Sequence, residues 1–188
     1  MRFPSLLRRL ASRTPLLWRL VHTDETRIDD LPPEGEEGID SVGHRKYVGG
    51  RWEEIGRLQF EFLVEEGLRP HHRLLDIGCG ALRGGRHFIP YLESGHYTGI
   101  DQEEALLKAG VEEELGRTLF EVKRPRLIVS SDFAFGRLDE SPDFALAQSL
   151  FTHLTAADIR RCLRRLRPAI AQEGRFYATF FEVDQPMD

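Results

Sequence analysis

Two acids and a pair of glycines carry the chemistry most legible in this chain. Asp76 begins the run Asp76-Ile77-Gly78-Cys79-Gly80 within LLDIGCGALRGG, and Asp101 closes YTGID 25 residues later. An apolar run entering an acidic, glycine-rich turn brings backbone close to a nucleotide-like ligand. Gly78 and Gly80 accept positive φ and place no Cβ between chain and ligand. Helix-forming sequence follows, so free N–H groups and the positive end of a helix dipole face whatever lies over the turn. A phosphate suits that position, and so does a carboxylate. Asp76 discriminates, because a carboxylate at the mouth of the turn repels a pyrophosphate but binds an ammonium group, directly or through water. Arg83 stands where the dinucleotide fingerprint G-x-G-x-x-G asks for its third glycine. A nicotinamide-dependent oxidoreductase on the same sheet is therefore the weaker alternative.

These residues need strands and helices to hold them. Leu74, Leu75 and Ile77 form a short continuous apolar run, the pattern of a central parallel strand buried on both faces. The interval from Asp76 to Asp101 is that of one strand–helix–strand unit. Arg126 to Ser131 reads as a third strand with Asp132-Phe133 at its end, and Phe144 to Gln148 as a fourth. Thr155 to Ala171 carries Ile159, Cys162, Leu163, Leu166 and Ile170 at helical spacing, Gly174 ends that helical region, and Arg175 to Phe181 reads as a fifth strand. Upstream, Trp52 to Gly67 places Trp52, Ile55, Leu58, Gln59, Phe62 and Leu63 close to helical periodicity. Such alternation predicts an open α/β sheet that binds its ligand at the carboxyl ends of the strands.

The motif from Asp76 to Gly80, with Asp101 after it, resembles that of class I S-adenosylmethionine (SAM) dependent methyltransferases, over roughly residues 70 to 181. The resemblance implies a Rossmann-like three-layer α/β/α sandwich with a mostly parallel sheet and SAM as cofactor. It implies that the turn of Asp76, Gly78, Cys79 and Gly80 approaches the methionine part and ribose. Asp101, with Gln102 beside it, would then hold the ribose hydroxyls, a diol suited to a charged bidentate acceptor. Asp132 would meet the adenine amino group and Phe133 the ring, while Gln148 and His153 would border the acceptor. Family members of this kind cover the cofactor with a leading helix and the loop before it, which makes His44, Arg45 and Tyr47 lid candidates. The sequence departs from the commonest motif at Leu82, which replaces a third glycine. It also stops seven residues after Phe181, without the antiparallel hairpin that normally follows the fifth strand. The expectation is a fragment or a shortened homologue, with a fifth strand exposed as an apolar edge and open to homo-oligomerisation. Likeness around GHRKYVGG, LRGGRHFIPYL and QSLFTHL extends the reading to a small-molecule or saccharide acceptor. A non-catalytic SAM-binding module completed by a partner or by further C-terminal sequence is the second alternative.

Several residues keep two readings. Asp76 and Asp101 also fit as strand-end caps, and Asp132 as an ordinary loop residue. Cys79 fits as a small packing residue in its turn, and His44, Arg45 and Tyr47 fit simple helix packing. His153 is either a base that removes a proton from the acceptor or a locally bonded histidine at a helix start. Methyl transfer from a sulfonium proceeds by in-line displacement, so alignment and exclusion of water supply much of the catalysis and no base is required. With two cysteines, neither a disulfide framework nor a zinc site is suggested, and no metal is expected.

A chain of 188 residues with 40% hydrophobic and 30% charged residues is long enough for one sizeable core. Its formal net charge of -5 argues against a nucleic-acid substrate. Arg160, Arg161, Arg164, Arg165 and Arg167 read as a solvated helix face. Met1 to His22 combines Leu and Trp with five arginines and no acid, and reads as a flexible arm or as a peripheral membrane contact. Thr23 to Asp40 is acidic, contains Pro32-Pro33 and reads as a linker, leaving 41–188 as the core. With no cleavable signal pattern and few cysteines, the expected setting is cytoplasmic.

Overall fold

The computed structural model describes residues 32–33 and 35–180. The chain divides into Met1–Pro33 and Glu34–Asp188, and every described element belongs to the second unit. The expected arm over residues 1–22 lies outside the described residues. In chain order the elements are α1 (Glu36–Val42), α2 (His44–Tyr47), α3 (Trp52–Glu65), β1 (Leu74–Ile77), α4 (Gly85–Tyr91), β2 (Tyr97–Asp101) and α5 (Glu104–Ala109). A π-helical turn, Gly110–Leu115, follows α5 directly. Then come α6 (Arg117–Lys123), β3 (Arg126–Val129), a 3₁₀ turn (Phe135–Arg137), β4 (Phe144–Ala147), α7 (Ala156–Leu166) and β5 (Arg175–Ala178). Among the described residues, no helix is long and apolar enough to cross a membrane.

The five strands form one sheet in the order β3-β2-β1-β4-β5, with every pairing parallel. Leu74 pairs with Tyr97 on one side and with Phe144 on the other, so β1 lies at the centre. Because side chains alternate along a strand, β1 feeds two cores. Leu74 joins Leu63 of α3, Phe88 and Ile89 of α4 and Tyr97 of β2 on one face. Leu75 and Ile77 join Ile128 of β3 and Cys162 and Leu166 of α7 on the other. This is the expected Rossmann-like α/β/α layering.

Several boundaries differ from the sequence expectation. The acidic stretch read as linker up to Asp40 folds as α1 from Glu36: Glu36 and Glu37 occupy a first turn where negative charge is favourable, and Ile39 is buried. Helix α7 is capped by Thr155, whose hydroxyl accepts from the Asp158 N–H at 3.2 Å, and it ends at Leu166 rather than near Ala171. Pro168 explains the early stop, since its ring and missing N–H do not fit a helix interior. The third, fourth and fifth strands are each shorter than predicted, and Phe181 lies outside the described residues.

Strand β5 lies at an edge of the sheet, as expected, but its aromatic side chains are partly buried rather than open on its faces. Tyr177 packs edge-on to Phe62 at 5.1 Å and donates to the Glu66 carboxylate at 3.0 Å. Phe176 meets Phe151 at 5.9 Å. Its side chains are thus covered by α3 on one face and by the loop after β4 on the other. Phe180, just past the strand, is 52% exposed.

Helix α3 approaches the turn after β1 closely at Gly56, where an added Cβ would lie 2.4 Å from the Arg83 carbonyl oxygen. Gly56→Ala is expected to lower stability by about 1–3 kcal/mol in urea unfolding, the usual cost of overpacking. Gly136→Ala is the control, because an added Cβ there meets nothing within 4 Å. Equal effects of the two substitutions would contradict the close packing of α3 on this turn.

Candidate functional site

Two turns meet at the carboxyl ends of β1 and β2. Gly78 and Gly80 have φ values of 72° and 53°, the left-handed region that favours glycine. Space is limiting as well. A Cβ at Gly78 would stand 3.1 Å from Leu150 Cδ1, and one at Gly80 would stand 3.3 Å from Val48 Cγ1. The turn is anchored to β2 by the Gly78 N–H, which donates to the Ile100 carbonyl at 2.7 Å. Leu82, in place of a third glycine, nonetheless takes φ 64° and is fully buried. Added Cβ atoms at Gly85 and Gly110 would come within 3.0 Å and 2.8 Å of its side chain.

Asp101 closes the arrangement. Its Oδ2 accepts the Gly80 N–H at 2.8 Å and its Oδ1 the Glu103 N–H at 3.0 Å. One carboxylate thus ties the β1 turn to the start of α5. Burial raises its pKa, partly offset by these backbone N–H groups. Each oxygen has a second lone pair for a further donor. Gln102 is exposed beside it and donates to the Glu103 carboxylate at 3.2 Å.

Asp76 is used differently from the expectation of an open carboxylate. It is 3% exposed and accepts a hydrogen bond from the Tyr97 hydroxyl at 2.8 Å. Strand pairing explains the contact: Asp76 lies opposite Gly99, whose missing side chain leaves room for the diagonal neighbour Tyr97 on the same face. Cys79 fills the rest of that room, its Sγ only 2.7 Å from where a Gly99 Cβ would be. Burial pushes the Asp76 carboxyl up to about 6, with the Tyr97 hydrogen bond opposing, the Asp101 charge adding and the Arg83 charge opposing. Burial also pushes the Cys79 thiol well up, away from thiolate chemistry.

Asp132 and Phe133 also take other partners. Asp132 is exposed and pairs with Arg165 of α7 at 2.8 Å, while Ser130 donates to it at 2.9 Å. Phe133 has φ 58°, which turns its ring into the core, 6.1 Å from Phe135. After β4, Gln148 donates to the Ser149 hydroxyl at 3.1 Å, and the Ser149 N–H donates to Thr179 at 2.7 Å. His153 is exposed in the same loop, its N–H bonded to the Leu150 carbonyl at 3.0 Å. Leu150 of this loop is the residue seated against Gly78.

The leading segment reaches the glycine turn from the other side. Tyr47 and Val48 pack with Ile39, Trp52, Ala81 and Leu106, and Arg83 donates to the carbonyls of Val48 at 3.1 Å and Gly50 at 3.3 Å. The Tyr47 hydroxyl accepts the Gly35 N–H at 2.9 Å. His44 and Arg45 do not face the turn. Both engage Glu114 of the π-helical turn, His44 Nε2 at 2.6 Å and Arg45 at 2.6 and 2.9 Å through two nitrogens. The Trp52 indole N–H reaches the same carboxylate at 3.2 Å. Sequence reasoning overlooked Glu114, because within VEEELG it looks like one of three solvated acids. It likewise passed over Val48 and Leu150, whose only signal was proximity to candidate motifs.

A family profile described as a methyltransferase domain matches residues 75–176, more than half of the chain. Solved structures are similar in fold. A glycopeptide N-methyltransferase complexed with S-adenosyl-L-methionine shares 18% identity at a TM-score of 0.55, over 64% of this chain and 52% of that one. An S-adenosylmethionine-dependent methyltransferase from Clostridium acetobutylicum shares 14% at 0.52, over 74% and 53%. The magnesium protoporphyrin IX methyltransferase of Synechocystis with bound S-adenosylhomocysteine shares 14% at 0.50, over 63% and 51%. The chain therefore spans about half the length of these structures.

The buried Asp76 carboxyl leads to a pH prediction. Its folded pKa, about 6, lies above its ordinary value of 3.8, so the folded state holds the proton more tightly than the unfolded state. Stability linked to this group therefore falls as pH rises through that window and is constant above it, by about 3 kcal/mol at most. Asp76→Asn keeps an acceptor for Tyr97 and removes the charge. The variant is expected to exceed the parent in urea stability at pH 8, with the gain shrinking towards pH 4. A gain independent of pH would assign the titration to another group.

Proposed function

Because the chain belongs to the methyltransferase-domain family, we propose that it is a SAM-dependent methyltransferase whose cofactor lies over the Gly78–Gly80 turn and against Asp101. The observation that carries this reading is the pairing of those two features: a left-handed glycine turn in close contact with Leu150 and Val48, joined by one carboxylate to the end of β2. The residues fit the cofactor. Gly78 and Gly80 put no Cβ of their own between the turn and a close-lying ligand, and Asp101 retains acceptor capacity on both oxygens for the ribose hydroxyls. When bound, SAM supplies a methyl group activated by its sulfonium.

The chain's own residues then bind, orient and exclude water. Val48 lies against Gly80 and Leu150 against Gly78, and both limit solvent at the turn. Asp76, close behind the turn, contributes its field through buried protein rather than by open contact, and a cation over the turn favours its ionised form. Cys79 acts by packing, and Gln102 stands beside Asp101 at the same rim. Asp132 keeps a place near the adenine through its loop, with its carboxylate held by Arg165. In-line transfer requires mainly alignment and a dry site.

We assign the acceptor to the side of the Gln148–His153 loop and read it as a small molecule or saccharide. The net charge of -5 supports this over a nucleic acid. The exposed imidazole of His153 is available to take a proton from an acceptor hydroxyl or amine.

Calorimetric titration with SAM and S-adenosylhomocysteine, using NADH as the control, tests the reading. Saturable binding of the adenosyl ligands alone is expected. Binding of NADH instead would replace this function with dinucleotide chemistry, and SAM binding without turnover on any acceptor would favour a binding module. Asp101→Ala should weaken SAM binding by about tenfold or more, the usual loss for a hydrogen bond to a charged group. Unchanged affinity would remove Asp101 from the site.

A further inference from the structure

The cluster around Glu114 has no part in the cofactor site just described, yet it is the most heavily satisfied buried carboxylate in the described unit. Its side chain is only 2% exposed. Burial alone would raise its pKa, but the hydrogen bonds and charges of Arg45 and His44 outweigh that and hold the carboxyl below the usual range. Arg45 grips it with two nitrogens, His44 at 2.6 Å adds a third donor and Trp52 a fourth. Arg86 of α4 stands 3.7 Å away, itself paired with Glu53 of α3 at 2.5 Å. The Arg45 guanidinium also lies 5.3 Å from the Trp52 ring centroid.

These donors are arranged in a telling way. His44 and Arg45 begin one stretch of chain and Trp52 ends it, so Glu114 grips both ends. Between them lies Val48, the residue against Gly80 whose carbonyl accepts from Arg83. A ligand over Gly80 must displace or slide beneath Val48, and it must do so against contacts held at both ends by one carboxylate.

We propose that Glu114 is the positioning residue that holds shut residues 44–52, the segment that the resemblance assigns to covering the cofactor. Glu114 touches neither the turn nor the acceptor loop; it acts through the segment it anchors. The proposal rests on the SAM reading above and deepens it. Removing the anchor should leave a cofactor that binds but is poorly retained, with dissociation faster and association not slowed.

Trp52 reports on the lid. The chain has two tryptophans, so Trp18→Phe leaves Trp52 as the sole tryptophan, excited selectively at wavelengths where tyrosine does not absorb. In that background, Glu114→Ala and Glu114→Gln are compared with the parent for acrylamide quenching of Trp52 and for S-adenosylhomocysteine binding by calorimetry and stopped flow. Arg45→Ala is included because its side chain is 53% exposed and its loss leaves a less disruptive gap if the Glu114 variants unfold. Far-UV circular dichroism establishes folding. The expected result is greater quenching of Trp52 in the ligand-free variants, a Kd raised about tenfold in Glu114→Ala with a smaller rise in Glu114→Gln, and restoration of Trp52 protection at saturating ligand.

Unchanged quenching in folded variants would overturn the anchor, whatever the cofactor. Exposed Trp52 with unchanged affinity and dissociation rate would overturn the coupling of lid to cofactor. Failure of the parent to bind S-adenosylhomocysteine would bring down the SAM reading, and the coupling with it, while the quenching data would still judge the anchor by itself.

Discussion

The carboxylate of Asp101 holds together the part of the molecule on which everything else is arranged. Two loops leave the sheet side by side, one after β1 and one after β2, and loops at such places ordinarily move. Here each oxygen of Asp101 takes one backbone N–H, from Gly80 in the first loop and from Glu103 in the second. Bonds from backbone to a charged acceptor are short and strong, and they need no flexible side chain at the donor end. The glycine turn therefore has a set position relative to β2 before any ligand arrives. The main-chain bonds from Gly78 and Cys79 to the Ile100 carbonyl add to that rigidity.

Around this junction the layers divide the work. The face carrying α3 and α4 buries Asp76 with Tyr97, and a close approach at Gly56 presses α3 against the turn. The opposite face carries α7 and the aromatic core of Phe133, Phe135 and Phe151. Neither layer supplies the cover. That comes from two loops of different origin, one ending in Val48 and the other holding Leu150, which flank Gly80 and Gly78 respectively. A rigid floor met by two separate loops would suit a ligand that must be held close and then released.

The floor was legible in the sequence, and the sides only as segments: the stretch around His44, Arg45 and Tyr47 and the loop from Gln148 to His153 were both marked, but not Val48 and Leu150 as the residues that meet the turn. Asp76, Gly78, Gly80 and Asp101 announce themselves because strand, turn and acid occur at fixed intervals, and the structure brings the two turns together as those intervals imply. The parallel five-strand order follows from the same alternation. The helix in Glu36–Val42 escaped notice because its acids and the preceding prolines resemble a linker, although a buried Ile39 decides otherwise. The Asp76–Tyr97 bond depends on strand register, which no local pattern encodes, and on the absence of a side chain at Gly99. Glu114 was indistinguishable from Glu112 and Glu113, since only tertiary packing singles out which acid of a run is buried.

Leu82 carries a further consequence. It adopts glycine's backbone conformation, at a cost of about 1–2 kcal/mol for an ordinary residue, yet its side chain is fully buried against Gly85 and Gly110. Glycine at this position would relieve the backbone but empty the space, and loss of a buried leucine side chain typically costs about 2–5 kcal/mol. Alanine at 85 would meet the Tyr97 hydroxyl at 2.8 Å as well as Leu82, and alanine at 110 would meet the Ala81 backbone at 2.9 Å as well, so glycine at 82 would make room for neither. Leu82 is thus held in place by the volume it fills rather than by backbone preference, whereas Gly85 and Gly110 are each fixed by a second neighbour besides it.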